Sequence, residues 1–202
     1  MSDKTSENQR EILRQLICDL AVVHGRVTLA SGKIADYYVD LRRITLHHQA
    51  APLAGQLMLD MLDQVGLGPG EIMAVGGLTM GADPVAAALL HAAASRSLDL
   101  DAFVVRKESK AHGLQRQVEG PDVAGQNVVV VEDTSTTGGS VLTAVSALEA
   151  AGANVKGVAV IVDRATGARE LIEQTGLPYH ALYCLEELGL ARTSSGHIGR
   201  VS

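Results

Sequence analysis

The sequence predicts an α/β fold in which a parallel sheet is flanked by helices on both faces. Short apolar runs alternate with helical segments along most of the 202 residues, an order that is typical of a parallel sheet. The runs are rich in Val and Ile and do not alternate with polar residues, as is expected of strands that are buried on both faces. Ligands of such sheets bind beyond the carboxyl ends of the strands, so we expect the functional residues at that edge.

The N-terminal part, residues 1–70, is predicted to be a small unit of helices and a hairpin. Apolar side chains recur at helical spacing between Ile12 and Val23. The predicted elements are an amphipathic helix over residues 6–23, hairpin strands at Arg26–Leu29 and Tyr37–Leu41, and a helix over Ala50–Val65 that ends before the glycines of 66–70. We expect this unit to form a hood over the ligand edge of the sheet.

Residues 71–190 carry the alternating pattern and are predicted to form the sheet with its helices. The predicted strands are Ile72–Val75, Ala102–Val105, Asn127–Val131 and Val155–Val162, and the predicted helices are Asp83–Ser95, Gly139–Ala151 and Ala168–Thr175. The stretch Arg106–Asp122 is polar and has no period, and a loop of this length is usually a functional lid or a disordered segment. Residues 191–202 are expected to form a flexible tail.

Composition and charge exclude several classes of protein. The length fits one compact domain. A formal net charge of −6 argues against nucleic acids and anionic membranes as partners, and an aromatic content of 2% argues against base stacking. No apolar run approaches the roughly 18 residues of a membrane helix, and the polar N-terminus lacks a secretory signal. Cys18 and Cys184 are far apart, which fits a reducing, cytoplasmic location.

The strongest local pattern joins a buried strand to two carboxylates and then to a loop of hydroxyls and glycines. The segment is Val128-Val129-Val130-Val131-Glu132-Asp133-Thr134-Ser135-Thr136-Thr137-Gly138-Gly139-Ser140. We refer to Glu132 and Asp133 as the carboxylate pair and to Thr134–Ser140 as the hydroxyl–glycine loop. Glycines let backbone N–H groups approach an anion closely, hydroxyls add donors, and the N-terminus of the following helix adds partial positive charge. The spacing differs from that of a Walker loop.

A ribose 5-phosphate would satisfy both halves of this pattern. Its phosphate would lie in the hydroxyl–glycine loop, and its 2- and 3-hydroxyls would donate hydrogen bonds to the carboxylate pair. A bare phosphate would instead be repelled by the carboxylates. The alternative is that an acidic pair and a Thr/Gly turn only cap a helix, but the two halves together at the end of a four-valine strand favour the ligand.

A second cluster of charge lies just after another predicted strand. Within Arg106–Arg116, here called the cation loop, four Lys or Arg residues and one His occur in an otherwise acidic chain. A charge run of this kind is often only a solvated loop. Its start at the ligand edge favours the binding of a pyrophosphate, which needs several donors at once, and Gly113 permits hinge motion.

Together these segments resemble the type I phosphoribosyltransferases. The carboxylate pair and the hydroxyl–glycine loop resemble their motif for phosphoribosyl pyrophosphate (PRPP), and Arg106–Gly113 resembles, more narrowly, the catalytic loop of the members that use orotate. Val27–Lys33 with Tyr37–Arg42 resembles the hood hairpin of those members, and Val162-Asp163-Arg164 resembles the strand end that holds orotate. The resemblance implies a type I phosphoribosyltransferase-like parallel sheet with a small N-terminal hood.

The resemblance also implies a role for each matching residue. Glu132 and Asp133 would bind the ribose hydroxyls, and the 5-phosphate would be surrounded by Thr134, Ser135, Thr136, Thr137, Gly138, Gly139 and Ser140. The pyrophosphate would be bound by Arg106, Lys107, Lys110 and His112, with Gly76–Gly81 as a second contacting loop. Thr136 and Arg164 would contact orotate, and catalysis would depend on Lys107, Lys110, His112 and Asp133. Ala30 and Met80 stand where many members carry a lysine.

The implied reaction transfers the 5-phosphoribosyl group from PRPP to N1 of orotate and yields orotidine 5-monophosphate and pyrophosphate, in de novo pyrimidine (UMP) biosynthesis. The implied cofactor is Mg2+, carried by PRPP with no direct protein ligand. The implied assembly is a homodimer that shares the cation loop across its interface. Because the attacking nitrogen belongs to the substrate, no protein nucleophile is needed, which suits a chain without a Ser-His-Asp or Cys-His signature.

Two alternatives stay open at this point, a phosphoribosyltransferase for another nucleobase and a PRPP-sensing regulator. A neutral base would not need Arg164, whose guanidinium suits the carboxylate of orotate, although from the residues alone Arg164 could equally pair with Asp163 at the surface. A regulator that binds nucleic acid should show a basic recognition surface or an added domain, and this short acidic chain favours neither.

Overall fold

A computed structural model describes residues 2–28, 34–108 and 117–190. In chain order its helices and strands are α1 (Ser2–Leu16), β1 (Val22–Thr28), β2 (Ile34–Val39), α2 (Arg42–Thr45), α3 (Ala50–Gln64), β3 (Ala74–Leu78), α4 (Ala82–Ser95), β4 (Asp101–Val105), β5 (Val118–Glu119), β6 (Asn127–Ser135), α5 (Gly139–Ala150), β7 (Asn154–Asp163), α6 (Ala168–Glu173) and β8 (Tyr179–Cys184). A π-helical segment, Ile17–Ala21, joins α1 to β1.

The larger of the two sheets in the described part of the chain has six strands in the order β5-β4-β3-β6-β7-β8. Every pairing within it is parallel except that of β4 with β5. β6 lies inside the sheet, where Val129 is opposite Val75 of β3 on one side and Gly157 of β7 on the other. Helices cover both faces of the sheet, and the predicted α/β class with a parallel sheet is confirmed.

The valines of β6 show why the strand sequences lack polar alternation. Successive side chains of a strand point to opposite faces of the sheet, and here both faces are covered. Val129 and Val131 pack in one cluster with α1, α3 and α4, whereas Val128 and Val130 pack in a second cluster with α5 and α6. β6 is therefore held from both sides, and its carboxyl end is fixed relative to its neighbours.

The N-terminal part contains the predicted helix and hairpin with shifted boundaries, since the hairpin strands, predicted at Arg26–Leu29 and Tyr37–Leu41, run over Val22–Thr28 and Ile34–Val39. The helix predicted to reach Val23 ends earlier, because β1 begins at Val22 and pairs with β2, where Val22 lies opposite Val39. β-Branched residues at the end of an apolar helical pattern fit a strand equally well. Leu13 of α1 and Ile161 of β7 belong to the same core cluster, so the first helix packs with the sheet. The division of the chain near residue 70 stays a prediction, and the tail of 191–202 lies outside the described residues.

The sequence pattern does not predict three short elements, α2, β5 and β8. β8 is an edge strand that pairs with β7, and its segment Tyr179–Cys184 lacks the Val-rich run that marks the other strands. β5 has only two residues, which pair with β4, so its local sequence carries no detectable period. β6 and β7 extend beyond their predicted ends to Ser135 and Asp163, and these extensions carry polar residues.

Gly55 marks a close approach of α3 to α4. A Cβ atom on Gly55 would lie 2.3 Å from the carbonyl oxygen of Ala88. Alanine usually stabilises a helix interior relative to glycine by about 0.5–1 kcal/mol. Here we expect Gly55→Ala to destabilise the protein by about 1–3 kcal/mol, the usual effect of overpacking. The measurement is thermal unfolding.

Gly139→Ala is the matched control, because the nearest atom to its added Cβ is 3.8 Å away and the residue also lies in a helix. We expect its Tm to stay unchanged or to rise slightly. An unchanged or raised Tm for Gly55→Ala would contradict the close helix contact.

Candidate active site

The carboxyl ends of β3, β6 and β7 lie side by side and form the candidate site. β3 leads into a glycine-containing turn before α4, and β6 leads through the carboxylate pair into the hydroxyl–glycine loop. The parallel register continues to the strand ends, where Ser135 of β6 lies opposite Asp163 of β7. Residues that are far apart in the sequence are therefore brought to one edge of the sheet, as expected for this class of fold.

The carboxylate pair is held at the end of β6 with little exposure to water. Glu132 is 7% exposed and Asp133 is half-buried. The backbone N–H of Asp133 donates to Glu132 Oε1 at 3.3 Å. Asp133 Oδ1 accepts hydrogen bonds from the backbone N–H of Thr134 at 2.6 Å and from its hydroxyl at 3.2 Å. These local bonds orient both carboxylates.

Burial and mutual repulsion make the pair costly to ionise. Burial first, and the charge of Asp133 second, raise the pKa of Glu132 to about 8. Burial also raises the pKa of Asp133, although hydrogen bonds from Thr134 and the charge of Arg42 act in the opposite direction. Hydrogen bonds from a ligand to the ionised carboxylates would favour the charged forms and lower both pKa values.

The turn between β3 and α4 brings backbone against the carboxylate pair. A Cβ atom on Gly81 would lie 2.1 Å from Glu132 Oε1 and 3.1 Å from Asp133 Oδ1, so a side chain at this position would displace the Glu132 carboxylate. The Thr79 hydroxyl donates to Asp83 Oδ2 at 2.7 Å and ties the turn to α4. The carboxylate pair and this turn therefore lie in contact and together form one wall of the candidate site.

The hydroxyl–glycine loop exposes hydrogen-bond donors just before α5. Gly138 has a φ of +81°, in the left-handed region that favours glycine, and α5 begins at Gly139. Thr136, Thr137 and Ser140 are exposed, so their hydroxyls are open to a ligand. They lie beside the N–H groups of the first turn of a 12-residue helix, which have no partner within the helix. The loop therefore has the chemistry of an anion site.

Ser135 is the one residue of the hydroxyl–glycine loop whose side chain is fully engaged in the core. It is 2% exposed, its hydroxyl donates to Asp163 Oδ1 at 3.1 Å, and it shares a hydrogen bond with the Tyr179 hydroxyl. Because Ser135 is the last residue of β6, its side chain belongs to the buried strand end. The structure does not bring this hydroxyl to the loop surface, where the sequence pattern predicts it.

Arg164 follows β7 and lies between the loop and the hood hairpin. Its backbone N–H donates to the Ser135 carbonyl at 3.3 Å, and its guanidinium carbon lies 5.7 Å from the ring centroid of Tyr38 in β2. The alternative of a surface pair between Arg164 and Asp163 is wrong, because Asp163 is 7% exposed and faces Arg169 at 3.8 Å.

The base of the cation loop is closed by the pairing of β4 with β5. The backbone N–H of Arg106 donates to the Gln117 carbonyl at 2.8 Å, and the Gln117 side chain donates back to the Arg106 carbonyl at 3.0 Å. Lys107 is exposed, whereas Lys110 and His112 lie outside the described residues. The two ends of the loop are therefore anchored next to the carboxyl end of β4.

Arg42 is a candidate functional residue to which the sequence pattern assigns no role. It opens α2, and its Nε lies 2.8 Å from Asp40 Oδ1. Its charge acts against the burial that raises the pKa of Asp133 and so favours the ionised carboxylate. The only sequence signal is its position at the end of Tyr37–Arg42, the segment that resembles a hood hairpin.

Within residues 2–28, 34–108 and 117–190, no group of three or more His, Cys, Asp or Glu side chains is placed to hold a metal ion. The carboxylate pair does offer oxygen atoms, the ligand type that Mg2+ prefers.

In the same described part of the chain, no helix combines the length and the apolar character needed to cross a bilayer.

Comparison with known proteins finds similarity along nearly the whole chain. The chain matches the phosphoribosyl transferase domain family over residues 42–174. It is 64% identical over 185 residues to the orotate phosphoribosyltransferase of Streptomyces avermitilis, and this match covers 91% of the chain and 99% of the relative.

Two solved structures from Mycobacterium tuberculosis are similar in three dimensions. Orotate phosphoribosyltransferase in complex with Fe(III) dicitrate has a TM-score of 0.80 and 56% identity, covering 90% of this chain and 99% of that chain. Orotate phosphoribosyltransferase in complex with PRPP has a TM-score of 0.77 and 50% identity, with the same coverage of 90% and 99%. The roles of the individual site residues stay predictions.

The raised pKa of Glu132 predicts a pH dependence of stability in the ligand-free protein. The fold favours the protonated carboxyl group, so this contribution is fully present below the ordinary pKa of 4.5 and is lost as the pH rises toward about 8. We expect Glu132→Gln to remove much of that decline, on the order of a few kcal/mol. Urea unfolding at pH 5.5 and pH 8 measures the difference.

Glu149→Gln is the control for this experiment, because Glu149 is an exposed carboxylate near the end of α5. It should lose stability between the two pH values as the wild type does. The same decline in Glu132→Gln would show that the Glu132 carboxyl is not the group responsible.

Proposed function

Because the chain belongs to the phosphoribosyltransferase family and, within it, to the orotate phosphoribosyltransferases, we propose that it transfers the 5-phosphoribosyl group of PRPP to N1 of orotate. The products are orotidine 5-monophosphate and pyrophosphate, and the reaction is a step of pyrimidine (UMP) biosynthesis. The observation that carries the proposal is the carboxylate pair, which is buried against the backbone of Gly81 and is followed directly by the hydroxyl–glycine loop.

PRPP is bound by its ribose and its 5-phosphate at the end of β6. The ionised Glu132 and Asp133 accept hydrogen bonds from the ribose hydroxyls, which offsets the cost of burying two carboxylates side by side. The 5-phosphate lies against the exposed residues Thr136, Thr137, Gly139 and Ser140, and against the backbone of Thr134, Ser135 and Gly138. The exposure of those hydroxyls and the free N–H groups of α5 support this placement.

The pyrophosphate is bound by the cation loop and by the turn before α4. Arg106, Lys107, Lys110 and His112 supply positive charge, and Gly76–Gly81 supplies close backbone. The barrier is cleavage of the bond from C1 to the pyrophosphate oxygen, with positive charge growing on the ribose. Cations that stabilise the departing pyrophosphate, and the carboxylate of Asp133 beside the ribose, lower that barrier. Closure of the anchored loop excludes water, the competing nucleophile.

Mg2+ fits this site as a cation that arrives on PRPP. The phosphate and ribose oxygens of the substrate are ligands that Mg2+ accepts readily, so the cation needs no direct protein ligand. When bound, Mg2+ neutralises charge on the leaving pyrophosphate.

Orotate is held by Thr136 and Arg164. Arg164 follows a buried strand end, its backbone N–H donates to the Ser135 carbonyl at 3.3 Å, and its guanidinium carbon lies 5.7 Å from the Tyr38 ring centroid. A guanidinium fork matches a carboxylate, and orotate carries one where uracil has none. This feature favours orotate over neutral bases.

Three further expectations belong to the same proposal. Residues 1–70 form a hood unit over the core of 71–190, and the charge of Arg42, which favours the ionised form of Asp133, supports its closeness to the ligand. The active unit is a homodimer in which the cation loop serves the neighbouring site. The location is the cytoplasm, with small-molecule substrates and no nucleic-acid or membrane partner.

Turnover with a panel of bases tests the proposed function. Orotate, uracil, adenine and hypoxanthine are each incubated with PRPP and Mg2+, and loss of the base is followed by absorbance. We expect loss of orotate alone, since only orotate carries the carboxylate that matches Arg164. Turnover of another base would overturn the substrate assignment. PRPP binding without any turnover would indicate a regulator.

Arg164→Ala tests the orotate contact. A charge-assisted hydrogen bond is worth about 1.5–3 kcal/mol, so we expect the KM for orotate to rise about 10- to 100-fold while the KM for PRPP changes little. Arg96→Ala is the control, because Arg96 follows α4 at the end opposite the site and pairs with Asp60. Undiminished use of orotate by Arg164→Ala would exclude Arg164 as the residue that binds the carboxylate.

A further inference from the structure

A polar cluster with three buried members, Ser135, Asp163 and Tyr179, and one exposed member, Arg169, lies next to the two residues assigned to orotate. Its members, here called the strand-end network, are Ser135, Asp163, Arg169 and Tyr179. Ser135 and Asp163 are the last residues of β6 and β7, and they lie opposite each other in the sheet. Thr136 and Arg164, which follow them, leave the sheet at the same level.

Asp163 is the centre of this network. Its Oδ1 accepts a hydrogen bond from the Ser135 hydroxyl at 3.1 Å and a second from the backbone N–H of Ala165 at 2.9 Å. Its Oδ2 faces Arg169 Nε at 3.8 Å. The residue is 7% exposed, and a buried carboxylate is retained at low cost only when its oxygens are satisfied in this way.

The hydrogen bond that the Ala165 N–H donates to Asp163 Oδ1 shapes the turn that contains Arg164. Ala165 has a φ of +49°, an uncommon conformation for a residue with a side chain. An Asp side chain that binds the N–H two residues ahead stabilises a turn of this kind. Thr166 then donates to the carbonyl of Thr136, so the turn is also fastened to the hydroxyl–glycine loop.

Tyr179 and Arg169 hold the far side of the network. The Tyr179 hydroxyl shares a hydrogen bond with Ser135, and the guanidinium carbon of Arg169 lies 4.8 Å from the Tyr179 ring centroid. Arg169 also donates to the Tyr179 carbonyl at 3.0 Å. Through Tyr179 and Arg169, β8 and α6 are therefore joined to the ends of β6 and β7, where the residues assigned to orotate begin.

We propose that Asp163 is a positioning residue for orotate, because its side chain builds the Arg164–Ala165 turn and fixes Arg164 relative to Thr136. The inference rests on the proposed function, since it concerns the use of Arg164 on the orotate carboxylate. Asp163 touches no reacting atom. It acts through the turn, by keeping the guanidinium in the orientation that the carboxylate needs.

Asp163→Ala, Asp163→Asn and Asp122→Ala form the test set. Asp163→Ala removes the turn bond, whereas Asp163→Asn keeps an oxygen for the N–H of Ala165 and loses only the charge that faces Arg169. Asp122→Ala is the matched control, because Asp122 Oδ1 accepts from the N–H of Ala124 at 3.1 Å in the same kind of turn, in the connection before β6.

We expect Asp163→Ala to lower kcat/KM for orotate about tenfold, mainly through KM, with a smaller change in the KM for PRPP. Asp163→Asn should restore most of the loss, and Asp122→Ala should match the wild type. In an Arg164→Ala background, the further loss from Asp163→Ala should fall below about twofold, because residues that act through one group are not additive. Circular dichroism checks that each variant is folded.

Additive losses in the double variant, or a loss in Asp163→Asn equal to that in Asp163→Ala, would overturn the positioning role. If Asp163→Ala does not fold, Asp163→Glu replaces it, since the longer side chain keeps the charge and displaces the oxygen from the turn. A wild-type protein that does not use orotate would overturn the proposed function and this inference together. A wild type that uses orotate, with Asp163→Ala equal to Asp122→Ala, would overturn the inference alone.

Discussion

The parallel pairing of β6 with β3 and β7 is the constraint on which the site depends. Parallel register sends all three strands out of the sheet at one edge, and the packing of the β6 valines on both faces fixes where that edge lies. Glu132 is buried and Asp133 half-buried there because they continue a buried strand. Their raised pKa values follow from the same position. A ligand that donates hydrogen bonds to both carboxylates favours their ionised forms and lowers both pKa values.

Most of the fold can be predicted from the sequence, because the features that determine it are local and repeated. Parallel strands that are buried on both faces favour near-continuous apolar residues, and this makes the central parts of β6 and β7 visible as apolar runs. β8 escapes prediction because its pairing with β7, rather than its own pattern, makes Tyr179–Cys184 a strand. The end of the first helix is misplaced for a related reason, since the partner of Val22 is Val39, seventeen positions away in the chain.

The candidate site is predictable where chemistry and sequence position coincide, as in the carboxylate pair and the hydroxyl–glycine loop. It is not predictable where a side chain's direction decides its role. Ser135 and Thr136 are both small hydroxyl residues, so the sequence does not distinguish them. Ser135 ends a strand and donates its hydroxyl hydrogen bond to Asp163, whereas Thr136 is exposed. Arg164 and Arg169 are both near Asp163 in the sequence, and only the fold shows that Arg169 is the ion-pair partner. Arg42 gains its relevance from the hood, which sequence spacing alone does not place.

A crystal structure with orotidine 5-monophosphate would test the arrangement most directly, because this single ligand carries the phosphate, the ribose hydroxyls and the orotate carboxylate. We expect the phosphate against residues 136–140, the ribose hydroxyls within hydrogen-bond distance of Glu132 and Asp133, and the carboxylate on the Arg164 guanidinium. A ligand whose ribose lies away from the carboxylate pair, or whose carboxylate is bound without Arg164, would contradict the arrangement proposed for this site.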